Sequence, residues 1–195
     1  MGLHGTSLVQ KITTTAQAIS AVDPDELRTG QVGKEVGEAV FAQCDICLTA
    51  LTSALNVDTE LSRSVTISLC GPGESQTMTL AGLQVWCRER AAWANEGLYR
   101  GRIQRALLQA SVWVGDLDEP SVLSEDQAAL AAETGRYLLQ VLRDAQAAGL
   151  SERMQVPWNS TTITLTAATK LGAYVATTDR RRALLLETER TAQEI

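Results

Sequence analysis

Between residues 31 and 56, apolar side chains recur at spacings of three and four. Val32, Val36, Val40, Cys44, Leu48, Leu51 and Leu55 form one stripe, with Cys47 beside Cys44. That period is the signature of a helix with one buried face, so a long helix must be packed against something apolar. The Thr29-Gly30 step before it and Asn56 and Asp58 after it punctuate the chain. A fold built around such a helix is expected to be mainly α.

The rest of the chain is arranged around that element. Leu8, Ile12, Ala16 and Ile19 place a first helix over residues 7–22. Asp23-Pro24-Asp25-Glu26 reads as a helix start, cut short at Thr29-Gly30. Residues 64–70 and 75–80 alternate with period two around Gly71-Pro72-Gly73-Glu74, which predicts a β-hairpin. Leu83, Trp86, Cys87, Arg90, Ala94 and Leu98, continued by Ile103, Leu107, Ala110 and Trp113, predict helix over about 82–113, with a break at Asn95-Glu96-Gly97. Asp116 to Pro120 reads as a loop. Ser124-Glu125-Asp126-Gln127 is a capping box opening a helix to Ala148, stopped by Gly149. Its expected stripe is Leu130, Tyr137 (or Thr134), Val141 and Ala145. Pro157 and Trp158 read as linker, residues 161–165 as a short strand. A final helix is expected over about 167–192, capped by Thr166, with Leu171, Tyr174, Val175, Thr178 and Leu185 along it. Residues 75–82 and 160–167 echo one another, both reading S-x-T-[MI]-T-L before a small or hydroxyl residue and a helix. They are either two strands that pair in one small sheet or a coincidence of capping chemistry.

The chain has 195 residues, 45% hydrophobic and 21% charged, ordinary for a globular protein, with a formal net charge of −6. Such an acid balance argues against duplex-DNA binding by bulk charge. His4 is the sole histidine, which argues against a His-based triad. No uninterrupted apolar run approaches bilayer length, so no membrane association is expected. The first residues carry no basic or apolar leader, which predicts no secretory signal. Gly2 and Thr6 fit the loose N-myristoylation pattern, a flexible start being the plainer expectation. Neither a P-loop, a G-x-S-x-G elbow nor an H-E-x-x-H motif occurs. The acidic pairs Asp116/Asp118 and Glu125/Asp126 fall in loops or first helical turns, where carboxylates cap helices.

Cys44 and Cys47 form a C-x-x-C inside the helical pattern, and Cys70 and Cys87 stand far apart in sequence. Residues three apart share a helix face, so two small buried thiols are expected; a zinc site and redox chemistry are the alternatives. No cofactor or metal is expected.

The cations are lopsided. Lys11, Lys34 and Lys170 are the only lysines among 17 basic residues. Residues 86–105 carry Arg88, Arg90, Arg100, Arg102 and Arg105 against Glu89 and Glu96, and Asp179 is followed by Arg180, Arg181 and Arg182. In an acidic chain such islands are candidate contacts for an anion or a partner subunit, or solvated helix faces with local ion pairs. Arg100, Arg102, Arg105, Arg180, Arg181 and Arg182 are therefore the candidate interface residues. Three successive arginines point in three directions, so at most two can face one partner. Trp86 and Trp93, seven apart, share a face; with Trp113 and Trp158 they are expected as core or interface anchors.

Residues 155–190, with Val156-Pro157-Trp158, the strand Thr162-Ile163-Thr164-Leu165-Thr166-Ala167-Ala168 and the Arg/Glu-rich helix after it, resemble strand–helix modules in structural proteins of tailed bacteriophages. The acidic, arginine-rich, lysine-poor helical profile also resembles coat proteins of rod-shaped RNA viruses, which bind RNA through arginines. Taken together, these point to a single domain over 1–195: a four- to five-helix bundle with a β insertion at about 64–80 and a strand at about 161–165 forming a small sheet. The expected function is a non-catalytic subunit of a virion, a tailed-phage neck, connector or tail protein assembled in the host cytoplasm. It would act through homo-oligomerisation with itself and other virion proteins. An RNA-binding coat protein and a cytosolic thiol enzyme are the alternatives.

Overall fold

The computed structural model describes residues 3–57, 64–72, 74–114 and 120–193. Gly2, Asp58, Gly73, Asp116 and Asp118 lie outside the described residues. The protein is mainly α, 75% helical. Seven α-helices are described, more than the four or five expected, and two separate antiparallel two-stranded sheets stand where one small sheet was expected. The chain divides into two compact units, Met1–Gly101 and Arg102–Ile195.

In the first unit, α1 (Leu3–Ser20) packs on α3 (Lys34–Val57), and α2 (Pro24–Thr29) lies between them in sequence. Asp23 caps α2 by accepting from the Asp25 and Glu26 amides, and Gly30 ends it with φ +80°. Ile12, Ala16 and Ile19 from α1 meet Val40, Cys44, Cys47 and Leu51 from α3 in one core. Val36 belongs to the stripe by spacing but is exposed, although Val32 before it and Val40 after it reach the core. By length and mean hydropathy α3 could cross a bilayer, contrary to the apolar-run count; its Cys44–Leu51 face is instead core here.

The hairpin β1 (Thr66–Gly71) and β2 (Glu74–Thr79) pairs in register Thr66↔Thr79 to Gly71↔Glu74. Ile67 and Leu69 point into the core while Thr66, Ser68 and Cys70 are exposed, the period-two pattern of a half-buried strand. Gln17 of α1 holds the hairpin tip, its side-chain amide donating to the Cys70 carbonyl oxygen.

Helix α4 (Leu80–Ser111) runs unbroken through Asn95-Glu96-Gly97. The expected break fails because Gly97 serves a close approach: its backbone lies against Leu27 and Gly30 of α2. Glu96 beside it accepts from Arg28 and from Arg100.

In the second unit, Ser124 and Gln127 form the capping box that opens α5 (Glu125–Ala147). The buried stripe of α5 is Ala128, Ala131, Ala132, Gly135, Leu138, Val141, Leu142 and Ala145. Leu130 and Tyr137, expected in the core, are 53% and 49% exposed. Small residues take the inner face because α6 (Leu165–Val175) comes very close: a Cβ on Gly135 would lie 2.7 Å from the Val175 carbonyl carbon.

Pro157 and Trp158 are not linker but the end of β3 (Gln155–Trp158), paired with β4 (Thr161–Thr164) around Asn159 at φ +53°. A two-stranded ladder leaves alternate N–H groups facing outward, so proline's missing donor is tolerated there. The expected final helix is two, α6 and α7 (Thr178–Gln193). Thr177 and Thr178 hydroxyls donate to the last α6 carbonyls, at Tyr174 and Val175, and satisfy them where the helix stops.

The sequence echo has a structural meaning. Each copy is the second strand of a hairpin running straight into a helix. Thr79 accepts from the Gly82 amide and Thr164 from the Ala167 amide, both at 3.2 Å, and the next residue, Leu80 or Leu165, is fully buried. The cap is thus Thr164, not Thr166. The two strands belong to different sheets rather than to one.

Candidate functional site

Most of the candidate arginines are engaged within their own unit. Arg100 donates to Glu96 at 2.7 Å, and Arg102 stands 3.9 Å from Asp144. Arg181 lies 3.8 Å over the Tyr174 ring and donates to the Tyr174 carbonyl oxygen and the Thr178 hydroxyl. Arg182 donates through Nε to the Leu123 carbonyl oxygen at 2.6 Å, tying α7 to the short 3₁₀ turn Pro120–Val122. The side chains of Arg105 and Arg180 are exposed. The triple thus splits as helix geometry requires, two guanidinium groups inward and one outward.

The first unit buries a group that charge counting placed on a basic face. Arg90 is 3% exposed, with its guanidinium 5.2 Å from the Trp86 ring and 4.4 Å from the Trp93 ring. The spacings, four before and three after, stack all three on one side of α4. Arg90 acts on the charge of Cys44, and Cys44, Cys47 and Cys87 are all fully buried in the core, whereas Cys70 is exposed. Burial, with the neighbouring Cys47 charge, pushes Cys44 up to about 12 against an ordinary 9.0, and Arg90 partly opposes this. Cys87 shares a hydrogen bond with Cys47, which lowers Cys47 and, together with burial, raises Cys87. Cys44 and Cys87 therefore stay protonated near neutrality and are poor nucleophiles. Among the described residues no three His, Cys, Asp or Glu side chains gather closely enough to hold a metal ion.

The second unit carries the feature the sequence reading missed. A shallow groove of about 500 Å³ lies between the end of α4 and the outer face of α5. Gln109, Val112 and Trp113 form one wall; Leu130, Glu133, Thr134 and Tyr137 form the other. Val112 is 71% exposed. The spacing Leu130, Thr134, Tyr137 is a true helical stripe, but it marks an outward face. The available signal was the parallel stripe of alanines and Gly135, which bulk-weighted reading passes over.

No family model, curated protein or solved structure matches this chain.

Proposed function

We propose that this chain is a non-catalytic structural subunit that works by homo-oligomerisation, of the kind that builds a virus particle, and most specifically a neck, connector or tail component of a tailed phage. The observation that carries the reading is the clustered, outward apolar surface of the second unit. Single exposed apolar residues are ordinary, but a groove walled by Val112, Trp113, Leu130 and Tyr137 is the kind of surface that marks an interaction site. The phage assignment rests on the resemblance of residues 155–190 to strand–helix modules, a stretch that folds as the β3–β4 hairpin leading into α6 and α7. The RNA-coat alternative draws less support, because Arg100, Arg102, Arg181 and Arg182 have partners in their own chain. The thiol-enzyme alternative, built on Cys44 and Cys47, draws no support from Cys44, which burial holds as a thiol, and keeps only Cys47, which its hydrogen bond with Cys87 lowers.

Electron microscopy of the purified chain tests the reading. Rings or tubes of uniform diameter are expected; a field of particles no larger than one 21.0 kDa chain overturns it.

A further inference from the structure

Among the described residues of the second unit, none covers the outer part of α7. Thr178 is buried and Arg182 is tied to Leu123, but beyond Arg182 every described residue is exposed except the half-buried Leu186. Leu184 is 63% exposed. A helical end of this length has little stability of its own, since isolated helices under about 12–15 residues are marginal in water. Its leucines therefore call for a surface.

The groove supplies one of matching length and charge. Helices α4 and α5 run antiparallel here: Arg102 meets Asp144, while Val112 and Trp113 share the groove with Leu130 further along. Arg105, Gln109 and Val112 lie at i, i+4 and i+7 on the α4 wall. That order places the exposed Arg105 toward the Tyr137 end, and Glu133 toward the other. On α7, Arg180, Leu184 and Glu187 also lie at i, i+4 and i+7, with an exposed cation at one end, an exposed anion at the other and leucine between. Seven residues of helix rise roughly 10 Å on each element. Laid into the groove, α7 puts Glu187 at Arg105, Arg180 at Glu133, and Leu184 and Leu185 on Val112, Leu130 and Tyr137.

We propose that the occupant is α7 of a second copy of this chain, so that each subunit gives a helix to one neighbour and a groove to the other. This rests on the self-assembling reading above and names its contact. Because each subunit gives its helix to one neighbour and its groove to another, the contact is head to tail and produces rings or open filaments.

Sedimentation velocity on two exposed-surface variants tests it. One lacks the donor (Leu184→Asp with Leu185→Asp), the other the acceptor (Leu130→Asp with Tyr137→Asp). Helical content by circular dichroism is expected to match the wild type. Each variant alone is expected to sediment as one chain. An equimolar mixture is expected to form a dimer and nothing larger, because only one good helix and one good groove remain. Separately, Glu187→Arg and Arg105→Glu should each weaken assembly at least tenfold, and together restore it, which guards against a variant that misfolds. If the wild type assembles and the variants assemble equally well, this contact is wrong while self-assembly stands. If the variants are monomeric but their mixture does not dimerise, the contact is likewise wrong. A wild type that never exceeds one chain overturns both.

Discussion

Gly30 and Gly97 lie backbone to backbone. A Cβ on Gly30 would stand 2.6 Å from the Gly97 carbonyl oxygen, and one on Gly97 would stand 3.1 Å from the Gly30 amide nitrogen. This approach is what lets α2 sit on α4, and it explains a glycine in the interior of a long helix. Gly97→Ala is therefore expected to destabilise the protein by about 2 kcal/mol or more through a displaced α2, although alanine is the better helix former. Gly101, one turn on, has nothing within 4 Å of its Cβ position. Gly101→Ala should stabilise by about 0.5–1 kcal/mol, the intrinsic helix gain. Urea unfolding of the two variants checks the pair; equal effects would contradict the account of Gly97.

The arginine triple separates by the same logic. Arg182→Gln removes the hydrogen bond that fastens α7 to the Leu123 carbonyl and should cost about 1–3 kcal/mol. Arg180→Gln, at an exposed side chain, should change stability by no more than about 0.5 kcal/mol. Thermal unfolding at dilute concentration compares them. A larger loss from Arg180→Gln would mean that the roles are reversed.

Much of the fold is legible in the sequence because the signals are local. The Asp23 cap, the Ser124–Gln127 box, the 64–80 hairpin and the 31–56 helix all follow from short-range chemistry, and the structure has them. What escapes is decided by distant partners. Gly97 reads as a breaker until α2 is seen against it. The alanine face of α5 reads as neutral until α6 closes on Gly135. The two Ser-Thr echoes are caps of the same chemistry, yet their strands pair with different neighbours, which no local pattern specifies. The same limit applied to the site. Arg90 stood in the sequence both on the Trp86–Cys87 face of its helix and among five cations, and that it is buried between Trp86 and Trp93 depends on how α4 packs on the core.

The buried thiols give the protein an alkaline limit. Between the ordinary thiol value of 9.0 and about 12, native Cys44 keeps a proton that the unfolded chain has lost. The unfolded state then binds fewer protons, so stability falls as pH rises through this window, by up to about 1.4 kcal/mol per pH unit for this one group. Below about pH 9 both states hold the proton, and Cys44 adds no pH dependence. Cys44→Ala should flatten the loss, with Cys87, raised in the same sense, retaining part of it. Urea unfolding from about pH 8 to pH 11 measures both chains. An unchanged slope in the variant would show that Cys44 is not the group responsible.

Self-association is the claim on which the functional account stands, and the mass of the chain in solution tests it most directly. Sedimentation equilibrium over a concentration series should give a mass several times 21.0 kDa, falling toward one chain on dilution. A mass of 21.0 kDa at every concentration, up to the highest the protein tolerates, would contradict it.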